Sequence, residues 1–154
     1  GRKRSLYEGG VRVPALLEWP EKITKNDTIT CPAGTIDYLP TILSLLDIQF
    51  PDQRPIDGIN LIPIITNKGK SRGKAIGFQS NSVASLITDR YKIILKKKNN
   101  TVELFDILND PFEKNDIALS MVDKASELKA ELNKWIASCS ESDQGKDYPK
   151  ITGQ

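Results

Sequence analysis

The 154-residue sequence contains no histidine, which removes the commonest general base and metal ligand from any chemistry the chain performs alone. Cysteine is scarce. Cys31 and Cys139 stand far apart, so they allow at most one bridge in an oxidising compartment, no disulfide framework and no CxxC motif. No apolar run approaches the roughly 18 residues that span a bilayer. Nor is a signal peptide legible, because Gly1-Arg2-Lys3-Arg4 leads into a polar turn rather than an apolar segment. Charge of one sign is not in excess either. The 22 basic and 20 acidic residues leave a net +2, which predicts neither a nucleic-acid nor a membrane partner. The one methionine is Met121, so a chain that opens without one is expected to be a fragment or a processed product.

What is present fits a soluble globular chain, 38% hydrophobic and 27% charged, with length for one compact domain. The run Val11–Trp19, bounded by Gly9-Gly10 and Pro20, predicts a buried strand, with Pro14 marking its start or an irregular edge. Thr28–Cys31 alternates weakly and predicts a second short strand. Ile36, Leu39, Leu43 and Leu46, flanked by Ile42, recur at helical spacing, with Asp37 as N-cap and Pro40 inside the first turn. Ile56–Leu61 has the look of a turn leading into a short helical segment. Asn67–Gly73, polar and basic, is the segment expected to be the most mobile surface loop.

The pattern then shifts to period two. Ala75–Gln79, Val83–Thr88, Tyr91–Lys97 and Val102–Asp106 predict four strands, with Asp89-Arg90 and Asn99-Asn100 as turns, hence an antiparallel sheet. Met121, Ala125, Leu128, Leu132, Trp135 and Cys139 form one apolar stripe on a helix over Ser120–Ser138, with Ser120 and Asp123 as a capping pair. That stripe needs a partner, and the sheet is the obvious one. From Ser140 the chain is polar and is expected to fray.

The densest chemistry lies in Lys3-Arg4-Ser5-Leu6-Tyr7-Glu8-Gly9-Gly10-Val11-Arg12-Val13-Pro14. Cations beside a Gly-Gly turn, where the backbone is free to take positive φ or approach another group closely, suit an anion site. They also suit a plain surface turn in which Glu8 and Arg12 pair. The string resembles a segment of the sulfatase family, Gly-x-Lys followed by Tyr-Glu-Gly-Gly-x-Arg-x-Pro and an apolar stretch ending in Trp-Pro; here these are Gly1, Lys3, Tyr7–Gly10, Arg12, Pro14 and Trp19-Pro20. Asp37-Tyr38-Leu39-Pro40-Thr41, Asp57-Gly58, Tyr91-Lys92, and Glu103-Leu104-Phe105-Asp106 with Asp110-Pro111-Phe112-Glu113 and Asn115 resemble further family motifs, in family order.

The resemblance implies hydrolysis of sulfate esters or sulfamates by a formylglycine hydrate beside a calcium ion. It carries Lys3 over as a catalytic, sulfate-binding lysine, a point charge that stabilises developing negative charge. Tyr7, Glu8, Gly9, Gly10 and Arg12 are carried over as structural support of that lysine, with Glu8 and Arg12 expected to pair. Asp37, Asp57 and Asp110 read as turn or cap residues. The formylglycine motif and the metal ligands have no counterpart in this sequence.

The implied fold is α/β in the parent enzyme and α+β in this chain. Residues 1–73 would end the catalytic domain, 74–139 would form an antiparallel-sheet-plus-helix subdomain, and 140–154 a polar tail. The implied partners are a sulfated small molecule or glycan and the remainder of a catalytic domain upstream; the implied setting is periplasmic, secreted or lysosomal. The chain alone is expected to be inert. A competing reading is a non-catalytic carbohydrate-binding or regulatory module, using exposed Trp19, Arg90 or Lys96–Lys98.

Overall fold

The computed structural model describes residues 5–50, 55–66, 69 and 71–148. Its elements run α1 (Glu8–Val11), a 3-10 turn (Thr35–Asp37), α2 (Tyr38–Leu45), α3 (Ile62–Ile65), β1 (Ile76–Gln79), β2 (Val83–Ile87), β3 (Tyr91–Lys96), β4 (Thr101–Asp106) and α4 (Val122–Asp143). The four strands form an antiparallel sheet in the order β1-β2-β3-β4. The architecture is therefore the expected α+β one.

Register assigns the two faces. Gly77, Leu86, Ile93 and Leu104 stand in one row across the sheet, with Ala84, Leu95 and Val102 in the next. This face packs on Ala125, Leu128 and Leu132 of α4, and together they make the core. Gly77 is required there, since a Cβ would stand 2.2 Å from the Trp135 ring. The opposite face carries Ile76, Ile87, Lys92 and Phe105 in one row, and Ser85, Ile94 and Glu103 in the other. Ile76, Ile87, Lys92, Phe105, Ser85 and Ile94 are all buried, so the sheet is covered on both sides. That is why β3 reads Tyr-Lys-Ile-Ile-Leu-Lys, nearly continuous in apolar character rather than alternating.

α4 starts at Val122 with Met121 as its N-cap. The expected Ser120 cap does not form, because the Ser120 hydroxyl donates backwards to the Ile117 carbonyl (3.0 Å). The helix also continues past Ser140 to Asp143 instead of fraying. α2 ends in a Schellman turn: Asp47 takes φ 53°, Ile48 N–H donates to Leu43 O (2.9 Å) and Asp47 N–H to Ser44 O (3.4 Å). The turn expected over Ile56–Leu61 does lead into α3.

Two expected strands do not form. Residues 12–19 and Thr28–Cys31 form no strand, and Val13, Leu16 and Leu17 are exposed. An apolar run becomes a strand only with a ladder partner, and among the described residues every strand pairs within β1–β4. The α2 stripe forms but is bare, with Ile36, Leu39, Ile42 and Leu46 all exposed. Arg72, inside the segment expected to be the most mobile, is buried. Asn67, Lys68 and Lys70 of that segment lie outside the described residues.

Candidate functional site

Tyr7 and Glu8 are tied to the second face of the sheet. Lys92, fully buried on β3, donates to Glu8 Oε1 (2.8 Å) and stands 2.8 Å from Glu113 Oε1. The Glu8 main-chain N–H donates to the other carboxylate oxygen of Glu113 (2.6 Å). Glu8 is thus held twice, by side chain and by backbone. Tyr7 lies edge-on to Phe105 at 6.1 Å between ring centroids, and its hydroxyl donates to Glu103. Burial, and next the Glu103 carboxylate, push the Tyr7 phenol above its ordinary range, so it stays protonated and remains a donor. Glu103 also pairs with Lys96 (2.6 Å). Three stretches far apart in sequence meet here: the turn at Tyr7-Glu8, the Tyr91-Lys92 strand, and β4 with the Asp110–Asn115 turn.

Physical chemistry requires such a meeting once Lys92 is buried. An ammonium in the interior is tolerated only when paired and hydrogen-bonded; Glu8 supplies the hydrogen bond and Glu113 a second ion contact. Glu113 itself takes φ 53°, a left-handed conformation that is costly for a glutamate. The turn holds it there: Asp110 Oδ2 accepts the N–H groups of Lys114 and Asn115, both at 2.8 Å.

The structure departs from two expectations here. Glu8 pairs with Lys92 and not with Arg12, which is exposed. A buried ammonium competes better for the carboxylate than a guanidinium in water does. Gly9 and Gly10 lie within the helical turn α1, so they do not serve as positive-φ residues. Lys3 lies outside the described residues. Glu113 and Lys92 appeared in the sequence only as parts of family motifs, and their mutual pairing was missed; a lone lysine inside Tyr-Lys-Ile-Ile-Leu was the available signal.

A second polar knot orders the segment before β1. Arg72 makes a bidentate bond to Asp37, both contacts at 2.9 Å, with both side chains out of water. Asp37 also accepts the N–H groups of Gly34 and Ile59 (2.8 Å each). Burial opposes ionisation of Asp37, yet the Arg72 guanidinium and these two N–H groups hold its carboxyl below the usual range. Asp37 therefore does not cap α2; its carboxylate accepts the Gly34 N–H at the start of the preceding turn, and its own N–H donates to the Gly34 carbonyl (3.0 Å). Gly58 is dictated by the same knot, since a Cβ there would stand 1.9 Å from the Ile36 carbonyl oxygen. Arg72 N–H donates to Asp89 (2.9 Å), and Cys31 Sγ lies 3.5 Å from the same carboxylate. The knot is a bracket, with its charges spent on each other. No sequence signal marked Arg72.

The described residues offer little independent chemistry. Cys31 and Cys139 are free thiols, and burial, then Asp89, push the Cys31 thiol up to about 11, so it is no thiolate at neutral pH. No cluster of three or more His, Cys, Asp or Glu side chains is placed to hold a metal ion among the described residues. A shallow cleft beside Lys74, Asp89 and Glu131 measures about 200 Å³, smaller than pockets that enclose drug-sized ligands. Among the described residues no helix is long and apolar enough to cross a membrane.

Comparison with known proteins gives these features a context. A protein-family model described as N-sulphoglucosamine sulphohydrolase, C-terminal, matches residues 2–142. The chain is 37% identical to steryl-sulfatase of Homo sapiens over 70 residues, which are 46% of this chain and 12% of that protein. It is 33% identical to arylsulfatase G of Rattus norvegicus over 98 residues, 58% of this chain and 18% of the relative. Against arylsulfatase K of Xenopus laevis it is 26% identical across 97% of this chain and 28% of the relative. The chain thus spans between 12% and 28% of the length of these relatives. Among solved structures it is similar to Ps i-CgsB (TM-score 0.57, 25% identity, 68% of this chain and 24% of that one). It also shares its fold with a 2-O GAG sulfatase (TM-score 0.54, 23% identity, 71% and 26%).

Proposed function

Because the chain belongs to the N-sulphoglucosamine sulphohydrolase C-terminal family, and so to the sulfatases, we propose that it is the C-terminal portion of a longer enzyme that hydrolyses sulfate esters or sulfamates. The observation that carries this reading is the match over residues 2–142, which takes in Lys3 and every residue of the clamp around Glu8. In this reading Lys3 is a sulfate ligand. Transfer of a sulfuryl group places negative charge on the leaving and non-bridging oxygens, and a fixed ammonium stabilises that charge more in the transition state than in the ground state.

The rest of the chemistry would come from residues outside this chain. The family resemblance assigns the nucleophile to a formylglycine hydrate and the Lewis acid to calcium, and the described residues carry no cluster fit to hold that ion. One lysine cannot act as nucleophile, general acid and metal site together, so the chain alone is inert. The substrate class is a sulfated small molecule or glycan, in a periplasmic, secreted or lysosomal setting. The test is hydrolysis of an aryl sulfate by the full-length protein and its Lys3→Ala variant. The expected loss is about 10²–10³ in kcat, the size of effect that follows removal of one oxyanion-stabilising group. Wild-type turnover by Lys3→Ala would contradict the assignment.

A further inference from the structure

We infer that the bare apolar face of α2 and the apolar run at residues 13–19 dock on the remainder of the longer polypeptide, the run joining a sheet there as a strand; the inference rests on the reading of this chain as the C-terminal portion of a longer enzyme.

α2 is anchored from one side. The Thr41 hydroxyl donates to the Asp37 carbonyl (2.6 Å) and accepts the Leu61 N–H (3.0 Å), and Asn60 Nδ2 donates to the Ser44 hydroxyl (2.8 Å). At about 100° per residue, Thr41 and Ser44 lie opposite Leu39, Ile42 and Leu46. Those three are exposed, and no residue of α2 is buried. The Asp37–Arg72 pair ties the start of the helix to the segment before β1, so the apolar face is held in a fixed orientation. An apolar helix stripe is stable against a second layer, and the sheet of this chain cannot be that layer. α4 covers one of its faces, and the other is buried as well.

Residues 13–19 point the same way. Val13, Leu16 and Leu17 are exposed, and among the described residues no strand pairs with this run. Alternation would put Val13, Ala15 and Leu17 on one face of a strand and Leu16 on the other. A strand apolar on both faces fits a sheet covered on both, as parallel sheets are. Pro14 then falls near the strand's start, where a missing donor is tolerated. The occupant follows from length. The family match takes in residues 2–142, yet the chain spans only 12% to 28% of its relatives, so most of such an enzyme lies outside it. A second copy of this chain would offer only a sheet whose faces are already covered.

The experiment is amide hydrogen exchange on the longer polypeptide, read in peptides covering residues 13–19, with the thermal midpoint measured for wild type, Ile42→Leu and Ile42→Asp. The expected result is exchange slowed by about 10³-fold or more at Val13 and Ala15–Trp19, as for amides in a sheet that opens rarely. Ile42→Leu should hold the midpoint within about 2 °C, since it keeps volume and apolar character. Ile42→Asp should lower it by about 5 °C or more, because a charge is then buried without a partner. Free exchange at residues 13–19 in the folded polypeptide would overturn the inference, as would an unchanged midpoint for Ile42→Asp. If Ile42→Asp does not fold, exchange in the wild type decides alone. Protection that disappears when a dimer is diluted would assign the surface to a second copy and overturn the inference too. Aryl-sulfate turnover is read separately: its absence would contradict the proposed activity, while protected residues 13–19 would still support docking on the longer polypeptide.

Discussion

Lys92 and Arg72 are both buried cations, and they differ in how visible they were beforehand. Lys92 sits in an apolar run, where a lone charge must either face water or find partners, so its sequence context poses the question that Glu8 and Glu113 answer. Arg72 sits among Lys, Ser and Gly, a context that reads as a solvated loop, and its partner Asp37 is 35 residues away. Long-range pairing of that kind leaves no local trace. The Asp37–Arg72 pair has a consequence for acid stability. The carboxyl of Asp37 is held below its usual range in the fold, so its contribution is complete above the unfolded value near 4 and is lost as pH falls through the lowered folded one. Asp89, lowered by N–H and hydroxyl donors despite its burial, works in the same direction. Urea denaturation at stepped pH should therefore show stability declining below about pH 4. Asp37→Asn should be less stable by about 3–5 kcal/mol at pH 7 and have a shallower acid limb, because Arg72 loses its counter-charge.

Among the elements, the β-meander and α4 were legible because their signals are local: period-two strands, turn pairs at Asp89-Arg90 and Asn99-Asn100, and one stripe at helical spacing. The strand expected over residues 11–19 was not, since an apolar run reports that burial is favoured and says nothing of where the ladder partner comes from. α2 shows the same limit from the other side. Its stripe is written clearly and the helix forms, yet Leu46 is exposed while Leu132 of α4 is fully buried. This predicts opposite outcomes for similar truncations in the isolated chain. Leu132→Ala should cost about 2–5 kcal/mol by leaving a cavity under the sheet. Leu46→Ala should stay within about 0.5 kcal/mol, as exposed substitutions do. Equilibrium urea unfolding of the two variants checks both.

At the scale of the whole molecule, the exposed large apolar residues are unevenly spread along the sequence. Most lie before residue 51, among them Val13, Leu16, Leu17, Ile36, Leu39, Ile42, Leu45, Leu46 and Ile48; beyond residue 75 Leu108, Phe112, Leu119 and Val122 are also exposed, outside a sheet covered on both faces. Lys3, proposed above as the sulfate ligand, stands in that first part of the sequence, and the partners of Glu8, Lys92 and Glu113, lie in the second. The family could be read from motif order because those motifs are the parts of the two knots: Tyr7-Glu8 with Lys92 and Glu113, and Asp37 with the Asp57-Gly58 turn. Their sequence spacing was visible, whereas their meeting in space was not. The most direct measurement is aryl-sulfate hydrolysis by the isolated 154-residue chain beside the longer polypeptide that carries it. Turnover by the longer polypeptide and none by the isolated chain is the predicted result; turnover by the isolated chain that disappears in Lys3→Ala would contradict it.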